Sequence, residues 1–298
     1  MKINQIKTLV AIADTGSIRA AARRMNVSQS ALTRNMRELE EEFSAELIHR
    51  TYKGVEYTPA GQALLTRARF IVESMQLAKD EVEFLRSGAG MSLRIGITPV
   101  VATTFFPRVF QQFTHIYPNA DMTLVEGLLT EIIPKLLEGR LDFGIAIATP
   151  KGLPPELTLE PISKIELAVA GRTDHPLRQS RSWHELLCNP WILNQITASS
   201  SNLLIEWLNS EGLQEPQSVV QCTSPFLMLE MMRRTDLIGY GPKQMFEDPI
   251  SGTGVSTFEL QRQPPAATLG IIKLKAMPLS PVAKEIQKLV LRNIDPIY

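Results

Sequence analysis

Cysteine is almost absent from this chain: Cys188 and Cys222 are the only two in 298 residues. They lie too far apart for a CxxC redox motif or a zinc-ligand spacing, so buried or incidental thiols are the favoured reading. The four histidines, His49, His115, His175 and His184, are scattered, and no nucleophile, base and acid recur around them in a catalytic or metal-binding pattern. No phosphate loop is present either. These absences argue against an enzyme and against a metal or organic cofactor. No run reaches the roughly 18 apolar residues of a membrane helix, and no positive segment leads into an apolar core at the N-terminus. A cytoplasmic protein without membrane contact is the expectation. Net charge is also missing, since 31 Lys and Arg balance 31 Asp and Glu. What is present is a 44% hydrophobic composition, enough to fill the cores of about two domains at roughly 100–200 residues each.

The overall neutrality hides a basic end. Residues 1–37 hold Lys2, Lys7, Arg19, Arg23, Arg24, Arg34 and Arg37 against Asp14 alone, a net of +6. Glu38, Glu40, Glu41, Glu42 and Glu46 follow at once. One basic end on a neutral chain is a localised phosphate-binding surface. The same stretch has helical periodicity. Ile6, Leu9, Val10 and Ala13 mark a first helix ended by Gly16. Ser17 caps a second that turns Ile18, Ala21, Ala22 and Met25 inward. Asn26 and Val27 then turn the chain, and Ser28 caps a third helix expected to bury Ala31, Leu32, Met36 and Leu39. Two short helices about a tight turn form a helix-turn-helix. Ser28, Gln29, Ser30, Thr33 and Arg34, with Arg37 a turn later, are left pointing outward from the start of the third helix, where base edges are read in the major groove. Glutamine pairs with adenine there and arginine with guanine. A solvated three-helix bundle is the bland alternative, and the charge asymmetry disfavours it.

Short alternating segments flank Lys53 and Gly54 within residues 47–61, as in a two-stranded wing from which Arg50 and Lys53 reach phosphate or minor groove. Thr58 before Pro59 opens a long helix running to Arg86. Along it Leu64, Ala68, Ile71, Met75, Ala78, Val82 and Leu85 recur four and three apart, a heptad seam that calls for a partner helix. Packing on the chain's own body is the alternative. A dimer would present two recognition helices to two half-sites of a dyad-symmetric operator.

The order of these residues resembles the DNA-binding end of LysR-type transcriptional regulators. The carriers are Ala21-Ala22, Met25, Ser28 through Arg34, Met36, Leu39-Glu40, Leu47, Arg50 and Tyr57-Thr58-Pro59-Ala60-Gly61. The chain departs from the family pattern at Ser30, usually Pro, at Ile48, usually Phe, and at Tyr57, usually Leu. The resemblance implies a double-stranded DNA operator, a homodimer or homotetramer, RNA polymerase as a further partner, and a small-molecule effector. It also leaves open that the two cysteines form an oxidant-sensing pair.

Beyond residue 90, apolar segments starting at Leu93, Met122, Asp142, Ile165, Ser218 and Asp236 alternate with helical stretches, which predicts parallel α/β sheets. By resemblance this region is a two-lobed, periplasmic-binding-protein-like effector domain. The expected organisation is an N-terminal all-α winged helix-turn-helix over 1–58, a linker helix and hinge over 59–90, and an α/β effector domain over 91–298. Lobe one takes 91–162 plus 268–298, and lobe two 163–267. A ligand between the lobes meets strand ends and helix starts. Thr98, Pro99, Val100, Val101 and Thr103 follow the first strand, and Thr197, Ser199, Ser200, Ser201 and Asn202 open a later helix. Leu128, Thr130, Thr223 and Phe226 are carried over from the family layout. Hydroxyl-rich helix starts suit a carboxylate or other anion, although Ser and Thr are also ordinary caps. A solute-binding transport component would explain residues 91–298 but not the basic N-terminal module.

Overall fold

The computed structural model describes residues 1–51, 54–87, 92–195 and 199–294. The chain forms two compact units, one built on its first 88 residues and the other on nearly all of the rest.

In the first unit, α1 (Ile3–Thr15), α2 (Ile18–Arg24) and α3 (Gln29–Phe43) pack around Ile6, Leu9, Ile12, Ala21, Leu32, Met36 and Leu39, all buried. Each large aliphatic buried here contributes about 1.5–3 kcal/mol. Local chemistry fixes the ends. Gly16 takes φ +71° to stop α1. The Ser17 hydroxyl accepts from the Ala20 amide and that of Ser28 from the Ala31 amide, both at 3.1 Å. Ala31 itself is exposed. It sits on the outer side of the first turn, so the inward face of α3 begins at Leu32. A two-stranded sheet, β1 (Ile48–Thr51) with β2 (Gly54–Tyr57), forms the antiparallel wing. Glu40 of α3 accepts the Leu47 and Ile48 amides, which fastens the recognition helix to the start of the wing. The Tyr57 hydroxyl donates to the Leu9 carbonyl at 2.8 Å, tying the wing to α1, and burial pushes its phenol well above the usual range.

From the wing the chain enters α4 (Pro59–Ser87), 29 residues long. The heptad seam divides along it. Ala68 is buried against the helix-turn-helix core, with Leu64 and Ile71 partly so, whereas Ala78 and Val82 are exposed. The first half of the seam therefore packs on the chain's own body. Only the second half presents exposed apolar positions; the Leu85 side chain lies outside the described residues.

The second unit carries two five-stranded sheets. Its elements are β3 (Ser92–Ile97), α5 (Pro99–Thr103), α6 (Phe106–Ile116), β4 (Asp121–Glu126), α7 (Leu129–Leu137), β5 (Phe143–Ile147) and β6 (Leu157–Ile165). There follow β7 (Leu167–Arg172), α8 (Trp183–Leu187), β8 (Pro190–Leu193), α9 (Ser200–Ser210), β9 (Ser218–Gln221), α10 (Pro225–Arg234), β10 (Ile238–Pro242), α11 (Lys243–Glu247) and β11 (Val255–Thr257). Last come β12 (Ala267–Leu274) and α12 (Pro281–Asn293). The sheet orders are β4-β3-β5-β12-β6 and β11-β7-β10-β8-β9. Neither sheet is purely parallel, contrary to the expectation from alternation. β12 lies antiparallel to both β5 and β6, and β7 antiparallel to β10 and β11. The strands that cross between the lobes impose this, because each must enter its sheet against the direction of the βα units. Residues 163–165 and 267 belong to the first sheet, so the lobes meet at Glu166 and after β11, a few residues from the boundaries read off the sequence.

Candidate functional site

Two surfaces carry the chemistry. On the first unit, Ser28, Gln29, Ser30, Arg34 and Arg37 are exposed at the start and outer side of α3, and Thr33 is half-buried. The Ser30 hydroxyl lies 3.0 Å from that of Ser28, so the residue that replaces the family's proline braces the cap. Arg34 is 81% exposed in its side chain and donates through Nε to Glu38 Oε1 at 2.8 Å. This bond is the main reason the Glu38 carboxyl is held below its ordinary value. Arg24 and Arg69 both pair with Asp14, which consumes the one acid in the basic stretch. Arg50 sits in β1, with its side chain outside the described residues, as is Lys53 altogether.

Inside the second unit a cavity of about 100 Å³ lies where the carboxyl ends of strands from both sheets face one another. Thr98 before α5, Pro99 and Val100 in it, Leu128 and Leu129 at α7, and Ile147 close it from lobe one. Asn194, Ser199, Ser200, Ser201, Pro225, Met228, Leu229, Met232 and residues 240–242, 245 and 246 close it from lobe two. No charged side chain is among the described residues that line it. Ser199 caps α9 through the Asn202 amide and donates to the Asn194 carbonyl at 2.6 Å, while Ser201 accepts from the Asn194 amide. Thr98 donates weakly to the Ile145 carbonyl. These hydroxyls are thus both caps and wall.

Of the positions expected from sequence, Thr98, Pro99, Val100, Leu128, Ser199, Ser200 and Ser201 line the cavity. Val101 is buried in the core, and the exposed Thr103 donates to the Pro99 carbonyl. Thr130, Asn202, Thr223 and Phe226 do not line it, and Thr197 lies outside the described residues. Phe226 is 75% exposed. The reason is helical: residues 225, 228, 229 and 232 form the inward stripe of α10, which leaves 226 on the far side. That stripe was the available signal for Met228 and Met232. Asn194 and Tyr240 had none. Both reach the cavity from the carboxyl ends of β8 and β10, which run parallel with Gly239 opposite Ile192.

Burial pushes the Tyr240 phenol far above its ordinary range, and its oxygen and the Asn194 Oδ1 have no hydrogen-bond partner among the described residues. Cys188 is exposed and Cys222 buried, both as free thiols.

The family model for "Bacterial regulatory helix-turn-helix protein, lysR family" matches residues 3–62, and that for the "LysR substrate binding domain" matches 86–294. The transcriptional regulator TdcA of Escherichia coli strain K12 is 24% identical over 253 residues, covering 85% of this chain and 80% of its own. Among solved structures, CbnR aligns over 98% of this chain and 99% of its own with a TM-score of 0.68 at 20% identity. CbnR complexed with its target DNA aligns over 98% and 100%, with a TM-score of 0.67 at 21% identity. With a winged helix-turn-helix at one end and a two-lobed α/β substrate-binding domain at the other, the chain belongs to the LysR family of DNA-binding transcriptional regulators.

Proposed function

We propose that this regulator binds a dyad-symmetric operator as a homodimer or a tetramer built from two dimers, and that a small anionic effector in the cavity adjusts that binding. α3 enters the major groove with Gln29 facing adenine and Arg34 facing guanine, while Ser28, Ser30, Thr33 and Arg37 complete the contacts to bases and phosphates. Arg50 and Lys53 serve the backbone beside them. The exposed Arg34–Glu38 pair is weak enough to exchange for a base edge. Ala78 and Val82 belong to the helix-pairing seam. RNA polymerase is the downstream partner and the cytoplasm the working compartment; no helix among the described residues is long and apolar enough to cross a membrane. The matched relatives are regulators, and no catalytic role is assigned to any residue.

One observation carries the anionic effector. The N-terminal residues of four helices, α5, α7, α9 and α10, all line the same cavity. Unpaired amides and the positive ends of helix dipoles favour negative charge by about 0.3–1 kcal/mol each, and more when partly buried. No lining acid opposes them. The effector shifts the equilibrium between lobe arrangements only by the difference in its affinity for them. Footprinting on the promoter beside the protein's own gene, repeated with a panel of small carboxylates, tests the reading. Protection that shortens or shifts with one carboxylate supports it. Protection indifferent to every anion removes the effector assignment, and no protection removes the operator.

A further inference from the structure

We infer that Glu38 sharpens operator selection: it is a positioning residue that keeps a fixed negative charge beside Arg34, so that a phosphate approaching Arg34 is repelled and a neutral base edge is not. The inference rests on the reading of Arg34 as the guanine-facing residue of α3 and adds what keeps that side chain off the DNA backbone.

Three groups surround the Glu38 carboxylate. Oε1 accepts from Arg34 Nε at 2.8 Å, Oε2 accepts from Gln5 Nε2 at 3.2 Å, and Lys2 Nζ lies 3.9 Å from the same Oε2. Gln5 is buried, and its side-chain oxygen accepts the Lys2 amide at 2.7 Å, so its amide group is held at both ends. Lys2 is held loosely, with 80% of its side chain exposed. The firm anchor of Glu38 is therefore a neutral side chain on a different helix, α1. When Arg34 swings away to the DNA, the carboxylate keeps its Gln5 bond and its charge stays in place. A carboxyl is ionised at neutral pH even at its ordinary value, and this one is held lower still, chiefly by the Arg34 bond.

Helix stability does not account for the pair. The cation precedes the acid by four residues, the less favourable order on a helix, and exposed pairs of this kind contribute only about 0–1 kcal/mol. Selection between two kinds of acceptor does account for it. Residues 1–37 carry seven Lys and Arg against Asp14 alone, a surface that draws any DNA phosphate. Phosphate is thus the competing target for Arg34. Guanine offers it two neutral acceptors, O6 and N7, whereas a phosphate brings a full negative charge. Beside an anchored carboxylate the repulsion falls on the phosphate complex alone, and specificity is the difference between the two affinities.

The test compares the full-length protein with its Glu38→Gln and Glu38→Asp variants on the promoter fragment beside the protein's own gene and on a random-sequence duplex of equal length, by fluorescence anisotropy across a salt series. Glu38→Gln should bind the random duplex about two- to fivefold tighter. Its slope of log affinity against log salt on that duplex should steepen by about 0.9, the signature of one more phosphate contact. Promoter affinity should change by less than about twofold. Glu38→Asp, which keeps the charge, should stay closer to the parent ratio of affinities than to that of Glu38→Gln. In an Arg34→Ala background, Glu38→Gln should alter neither duplex. Equal tightening on both duplexes, an effect that survives Arg34→Ala, or a Glu38→Asp variant that matches Glu38→Gln overturns the inference and leaves the Arg34 reading standing. Failure of that reading shows separately, as an Arg34→Ala single variant with an intact promoter preference. A parent protein that binds both duplexes alike removes the operator and the inference with it.

Discussion

Gly61→Ala should unfold the DNA-binding unit far more readily than a methyl group suggests. Gly61 is buried in the first turn of α4, and a Cβ built on it would lie 1.9 Å from the Leu47 carbonyl oxygen and 2.8 Å from the Leu47 carbonyl carbon. Both obstacles are backbone, so no side chain can swing aside. Three hydrogen bonds share the contact: the Gly61 amide to Thr58 Oγ1 at 3.0 Å, that hydroxyl to the Glu46 carbonyl at 2.7 Å, and the Thr58 amide to the Leu47 carbonyl at 3.1 Å. Relieving the clash means moving α4 away from the wing by about an ångström or more, which costs roughly 1–3 kcal/mol as overpacking. Weakening the Thr58 cap adds about 0.5–2 kcal/mol. The better helix propensity of alanine returns at most about 1 kcal/mol. The net is a destabilisation of about 0.5–5 kcal/mol, centred near 3, a sizeable share of the ~5–15 kcal/mol typical of a domain. Urea unfolding followed by circular dichroism should show the first unit melting separately and earlier, and gel shifts should show operator affinity falling with it. An unfolding midpoint unchanged or raised in the variant would refute the reasoning.

Arg34→Ala should weaken operator binding by about 1–3 kcal/mol and relax the preference at one base position; an unaltered preference in a gel-shift series with single-base operator variants would remove Arg34 from base reading. Val82→Asp, on an exposed position of α4 (65% exposed), should yield a well-folded monomer in sedimentation; an intact dimer would place the pairing surface elsewhere. Asp248 accepts the Ser251 amide and hydroxyl and the Ile250 amide, and the Ser251 bonds chiefly lower its pKa. Its contribution to stability is therefore present above the unfolded value of about 3.9 and lost as pH falls through the lower folded value. In Asp248→Asn that acid-side decline should be shallower, and a pH–stability curve that superimposes on the parent would contradict the assignment.

The first unit was largely legible because its signals are local. Ser17 and Ser28 as caps, Gly16 as a stop and the Pro59 helix start each act within a turn of where they stand in the chain. Ala31 was misplaced because a small residue fits either side of a first turn, and periodicity alone does not choose. The seam on α4 was visible as a pattern, but a single stripe on a long helix can serve two neighbours in succession, as Ala68 and Val82 do. In the second unit the hydroxyl-rich helix starts at Thr98 and at 199–201 pointed to the cavity, again from local composition. Asn194 and Tyr240 were invisible because nothing local distinguishes them. Their place in one cavity lining depends on the pairing of β8 with β10 across two intervening helices, α9 and α10. The antiparallel entry of β12 between β5 and β6 is likewise a long-range pairing with no trace in the alternation of its own residues.

The joint at residues 46–48 ties α3, the wing and the start of α4 into one rigid head, through Glu40, Leu47 and Thr58. α4 is then a lever with no slack at its fulcrum. At 29 residues it is about 44 Å long. A swing of about five degrees at its far end corresponds to roughly 4 Å at the reading head, about one base-pair step along DNA. For a pair of such levers, the spacing between the two reading heads becomes a measure of an angle, one base-pair step for about five degrees.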